Sequence, residues 1–133
     1  MFTPTIEWVN GRIRLIDQTL LPNEFKKIYC DEVSEIWQAI KTLKVRGAPA
    51  IGIAAAFGTV LGIWHSTADN YVDFETELKD ITDYLSTSRP TAVNLFWALK
   101  RMVKVAQENK SLTVPELKER LLAESLDIMS EDQ

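Results

Sequence analysis

Two hydrophobic periods divide the chain. Up to residue 30 apolar and polar positions alternate; beyond it apolar residues recur every three or four positions. Ile6-Glu7-Trp8-Val9 and Arg12-Ile13-Arg14-Leu15 flank Asn10-Gly11. That dipeptide between alternating runs is a strong hairpin signal, because a two-residue turn needs positive φ at both positions. Closing the turn there sets Trp8 opposite Ile13 and Ile6 opposite Leu15, so all four share one face. Leu20-Leu21-Pro22 reads as a connection, and Lys26-Lys27-Ile28-Tyr29-Cys30 as a third strand.

The helical period then takes over. Asp31 is placed to cap a helix whose stripe is Val33, Ile36, Trp37, Ile40 and Leu43. From Gly47 to Trp64 no charge occurs. Its Ala and Gly content makes this stretch a buried core helix, reaching about His65, rather than a membrane span. Tyr71, Phe74, Leu78, Ile81 and Leu85 mark an amphipathic helix with Glu75, Glu77, Asp80 and Asp83 on a solvated face. It stops at Ser86-Thr87-Ser88-Arg89-Pro90. The next helix turns Ala92, Leu95, Phe96, Leu99, Met102, Val103 and Ala106 inward and Lys100, Arg101, Lys104 and Glu108 outward. Thr113-Val114-Pro115-Glu116 is a capping box opening a last helix with Leu117, Leu121, Leu122 and Met129 buried. The expectation is an α+β fold in one domain, 1–133. Residues 1–30 form a small antiparallel sheet, a hairpin plus a third strand. Residues 31–133 form a bundle of about five helices.

Composition narrows the function. A formal charge of −4 and a pI near 5.0 argue against a nucleic-acid binder. The only cysteine, Cys30, excludes an internal disulfide framework and fits a reducing compartment. The start lacks the blocks of a signal peptide, so the expected location is cytoplasmic with no membrane partner. One Cys and one His, His65, cannot build a zinc site, and His65 at a helix end reads as a cap rather than a base. Cys30 in a strand reads as a buried, inert thiol. Trp8, Trp37, Trp64 and Trp97 read as core, with Trp97 also placed to edge a pocket near Asn94.

Two stretches carry candidate chemistry. In Val45-Arg46-Gly47-Ala48-Pro49-Ala50-Ile51-Gly52, Pro49 suits the first helical position and Gly47 admits close approach of a ligand. Arg46 opposes the helix dipole there, a conflict that an anion between guanidinium and amides resolves. Ser88-Arg89-Pro90-Thr91-Ala92-Val93-Asn94 repeats the combination at a second helix entrance. Two such arginines can converge on one phosphate, which a guanidinium meets bidentately. The competing reading leaves both arginines solvated or on neighbouring carbonyls, with the prolines merely starting helices. No general acid, base or nucleophile accompanies them.

These two stretches resemble the two N-terminal signatures of the methylthioribose-1-phosphate isomerases, and the hairpin and the Leu15-to-Pro22 segment are similar to that family's start. The wider superfamily includes ribose-1,5-bisphosphate isomerases and the regulatory subunits of the eukaryotic translation-initiation exchange factor. The resemblance implies conversion of 5-methylthioribose 1-phosphate to its ketose, a step of methionine salvage, without metal or cofactor. It implies that Arg46, Gly47 and Ala48 line the phosphate and sugar and that Arg89 contacts the phosphate, with Pro49, Pro90, Thr91 and Asn94 in support. It places the catalytic cysteine and aspartate in a C-terminal Rossmann-like domain that these residues do not include. This chain would then be the N-terminal, substrate-binding and by itself inactive part of a homodimeric enzyme. The alternatives are a non-catalytic binding or regulatory module, similar to the exchange-factor subunits, and a plain helical domain.

Overall fold

The computed structural model describes residues 6–17, 26–42 and 48–131. Three strands come first: β1 (Ile6–Val9), β2 (Arg12–Ile16) and β3 (Lys27–Cys30), antiparallel in the order β1-β2-β3. Asn10 and Gly11 take φ of 51° and 82°, the left-handed pair that the two-residue turn requires. The register follows, with Ile6 opposite Leu15 and Trp8 opposite Ile13. Ile6, Ile13 and Leu15 are buried on the expected face.

Five helices complete the fold: α1 (Val33–Lys41), α2 (Ala48–Ile63), α3 (Tyr71–Ser86), α4 (Val93–Glu108) and α5 (Val114–Glu131). The α+β reading holds. α2 is the axis, packed against the other four helices and against β1 and β2. Every residue from Ile51 to Leu61 is buried, which is why it is apolar all round. Trp8 ties the sheet to it, stacking on Phe57 at 6.4 Å and meeting Trp64 edge-on at 5.1 Å.

Helix starts are largely built by local side chains. The carboxylate of Glu35 accepts from the N–H groups of Asp31 and Glu32 at 2.8 and 3.1 Å, so α1 is capped from within its first turn. Asp31 is not the cap; it is drawn away by Arg12 on β2, whose Nε donates to it at 2.5 Å. That hydrogen bond holds the Asp31 carboxyl below its usual range. Asn70 caps α3 by accepting from the Asp73 N–H at 2.9 Å. The capping box of α5 forms as read: Thr113 N–H donates to Glu116 at 2.9 Å and Glu116 N–H to the Thr113 hydroxyl at 3.3 Å.

Several side chains depart from the simple inside–outside reading. Trp97 is 48% exposed and Trp8, Trp37 and Trp64 are half-buried, because each indole reaches past its helix or strand to an edge. Leu122 and Met129 are half-buried, and Glu124 and Ser125 take inner positions on α5. Arg101 is not solvated. Its guanidinium donates to Glu124 at 2.5 Å and to both oxygens of Glu131 at 2.8 and 2.6 Å, clamping the end of α5 to α4. On α3, Glu75 accepts from the Tyr71 hydroxyl at 2.6 Å and Glu77 from Ser66, so that face is partly engaged. His65 is exposed in the turn after α2, and Cys30 is buried at the end of β3.

Candidate functional site

The site forms where α2 and α4 begin side by side. The turn into α4 is pinned from behind: the Thr87 hydroxyl donates to Tyr84 O at 2.7 Å and accepts from Trp37 Nε1 at 2.9 Å. The buried Ser88 hydroxyl donates to Leu85 O at 2.6 Å. A further turn closes from the Ala92 N–H to Arg89 O at 3.0 Å, and the helix starts at Val93. Pro90 therefore stands three residues ahead of the helix rather than at its first position. Pro49 lies in the first described turn of α2.

The start of α4 has no side-chain cap. Ala92 occupies the cap position in an extended conformation, φ −82° and ψ 102°, with no side-chain oxygen to offer the first-turn amides. The Leu95 N–H bonds to Ala92 O at 3.1 Å, whereas the Val93 and Asn94 N–H groups have no backbone partner among the described residues and carry the positive end of the helix dipole. They open on a pocket of about 320 Å³ lined by Ala48, Ile51, Arg89, Ala92, Val93 and Asn94. Arg12, Arg14, Arg101 and Arg120 each hold a carboxylate. Among the described residues, Arg89 holds none. A half-buried guanidinium beside a helix start without a side-chain cap, with no carboxylate on it among the described residues, gives the pocket a positive potential.

Behind Asn94 lies a second pocket, of about 250 Å³, lined by Pro49, Gly52, Asn94, Trp97, Ile128 and Glu131. The two helices run close here because Gly52 has no side chain. A Cβ at that position would stand 3.4 Å from Asn94 O and 3.9 Å from the Ala98 methyl.

The structure thus brings together Ala48, Arg89 and Asn94, and puts Pro49 in the adjoining pocket. Pro90 and Thr91 are exposed on the turn and do not line either pocket. Arg46 and Gly47 lie outside the described residues. Ile51, Ala92 and Val93 were not foreseen as lining residues. Val93, 78% exposed at the pocket mouth, falls off the inward stripe of α4 and that was the available signal. Among the described residues the lining carries no carboxylate, imidazole or thiol, and what it offers is a guanidinium, helix-start amides and apolar side chains, a set suited to an anion with an apolar neighbour.

Residues 44–133 match the description "Initiation factor 2 subunit family". The chain belongs to this family. Within it, the chain is 53% identical over 125 residues to the 5-deoxyribose 1-phosphate isomerase of Petrotoga mobilis, covering 94% of this chain and 36% of that protein. It is 48% identical over 118 residues to the methylthioribose-1-phosphate isomerase of Symbiobacterium thermophilum, covering 89% and 33%. The chain thus spans about a third of the length of these relatives. Its fold superposes on 5-methylthioribose 1-phosphate isomerase from Pyrococcus horikoshii with a TM-score of 0.92 at 40% identity, over 98% of this chain and 36% of that one. The translation initiation factor eIF-2B subunit delta of A. fulgidus gives 0.89 at 38% identity, over 98% and 38%. Family members thus carry isomerase and initiation-factor names on one fold.

Proposed function

We propose that this chain is the substrate-binding, N-terminal part of an aldose–ketose isomerase acting on a pentose 1-phosphate. The observation that carries the reading is Arg89, which has no carboxylate partner among the described residues and lines a pocket with the start of α4 and the first turn of α2. Guanidinium and amides together suit a phosphate dianion, and a first turn of Ala48 and Ile51 leaves the sugar close to the backbone. The names of the isomerase relatives support a pentose 1-phosphate, as 5-methylthioribose 1-phosphate or 5-deoxyribose 1-phosphate. Of the two we favour the methylthio sugar, on the likeness of both arginine stretches to its isomerases.

The reaction opens the ring and moves hydrogen from C2 to C1, which calls for a positioned acid–base pair. No described lining residue of the pocket is such a group, and we assign the pair to protein beyond these residues. This chain holds the phosphate, aligns the sugar and excludes water on one side.

The test is an isomerase assay on the protein made from the complete coding frame, with both sugar phosphates. The ketose forms, and Arg89→Ala raises KM and lowers kcat/KM by at least about tenfold, since a charged hydrogen-bonded contact contributes roughly 1.5–3 kcal/mol. Kinetics of the variant equal to those of the unaltered protein would remove Arg89 from the site. Absence of turnover in the unaltered protein, with phosphate still bound, would favour a non-catalytic module.

A further inference from the structure

Arg89 does not line the second pocket, which shares Asn94 and the first turn of α2 with the first. Ala48 and Ile51 line one and Pro49 and Gly52 the other. We propose that this slot receives the substituent on C5 of the sugar, and that Trp97 and Ile128 fix its size. The inference rests on the sugar-phosphate reading above.

The geometry follows from the ligand's own shape. In a pentose 1-phosphate the phosphate and C5 leave the ring from the two carbons that flank the ring oxygen, so they diverge. With the phosphate on Arg89 and the α4 amides, the ring lies over Asn94, whose amide offers both donors and an acceptor to ring hydroxyls. C5 then points into the slot between Pro49, Trp97 and Ile128.

The chemistry of that slot is apolar where C5 arrives. A methyl group, as in a 5-deoxy sugar, or a methylthio group finds a proline ring, a branched aliphatic chain and an indole. A thioether sulfur is well matched to an aromatic ring. A 5-hydroxyl would lose its water without gaining a partner. The one charged lining group, Glu131, is already held bidentately by Arg101 at 2.8 and 2.6 Å. Arg101 also stacks over the Trp97 ring at 5.3 Å, which fixes the indole as a wall. Gly52 also lines the slot, and a Cβ there would stand 3.4 Å from Asn94 O, so the close approach of α2 to α4 beside the slot depends on this glycine.

Size selection is therefore the property to measure. In the protein from the complete coding frame, kcat/KM is compared for 5-methylthioribose 1-phosphate and 5-deoxyribose 1-phosphate. Ile128→Phe narrows the slot and lowers the methylthio-to-deoxy ratio by about tenfold, the scale on which an apolar pocket reads one or two extra heavy atoms. Trp97→Leu replaces an exposed side chain, so it leaves the core packed, and lowers the same ratio by removing the aromatic wall. Inhibition by inorganic phosphate stays unchanged in both variants, because the Arg89 end is untouched. A ratio within twofold of the unaltered protein in Trp97→Leu, or equal losses on both substrates, would overturn the C5 assignment while leaving the phosphate site intact. No turnover of either sugar phosphate by the unaltered protein would instead overturn the isomerase reading itself.

Discussion

Gly58 shows how tightly α2 is held by single atoms. A Cβ there would stand 2.9 Å from the Ile36 Cγ2 and 3.3 Å from the Leu85 Cδ1. Ile36 is fully buried and β-branched, so its methyl has no alternative rotamer to take. Gly58→Ala gains about 1 kcal/mol of helix propensity against about 1–3 kcal/mol of overpacking. The expected result is a net loss of stability in chemical denaturation, where a solvent-facing Gly→Ala would give a gain. Phe57→Ala, at a fully buried ring stacked on Trp8, should cost about 3–5 kcal/mol. At this scale the sequence was informative about Arg89 and Ala48, because an arginine at a helix entrance is a local electrostatic conflict. It was silent on Ile51 and Val93, whose place in the pocket depends on two helices meeting.

Elements were legible where their signals are local. Asn10-Gly11 specified the turn and, through alternation, the whole hairpin register; Thr113 and Glu116 specified the start of α5. The failure at Asp31 has the opposite cause: its partner, Arg12, lies on β2 and is brought near only by the sheet. Pro90 stands at the entrance to α4 as read, and how far it lies from the first helical residue is set by the Arg89–Ala92 turn, which a proline in sequence does not specify. The uncapped α4 yields a prediction of its own. Ala92→Asp, in a backbone already extended at the cap, supplies the missing acceptor and should raise stability by about 0.5–1.5 kcal/mol. Its carboxylate would occupy the same amides that the phosphate needs, so the same variant should weaken substrate binding and raise KM. A stabilised variant with unchanged KM would show that the α4 amides do not hold phosphate.

Across the described residues, Arg12, Arg14, Arg101 and Arg120 do structural work through carboxylates. Burial pushes the Glu124 carboxyl up, but the hydrogen bonds from Arg101 and Arg120 bring it below its usual range. The Arg101 hydrogen bonds do the same for Glu131, the Tyr71 hydroxyl for Glu75, and the backbone N–H of Thr113 for Glu116. Because these pKa values are lower in the folded chain, the unfolded chain takes up protons first as pH falls. Their stabilisation is complete at pH above the ordinary carboxylate range of the unfolded chain and is lost as pH drops through the depressed values. Acid titration followed by tryptophan fluorescence should show a flat plateau at neutral pH and unfolding on that lower limb. Glu124→Gln, at a buried carboxylate shared by two arginines, should cost about 2 kcal/mol at neutral pH and shallow that limb.

The account turns on whether the start of α4 binds phosphate through Arg89. The most direct measurement is a titration of the ¹⁵N-labelled protein with 5-methylthioribose 1-phosphate and with inorganic phosphate, following the amides of Val93 and Asn94. The prediction is a saturable shift of both amides with either ligand, abolished in Arg89→Ala. Amides that stay in place, or that shift equally in Arg89→Ala, would contradict it.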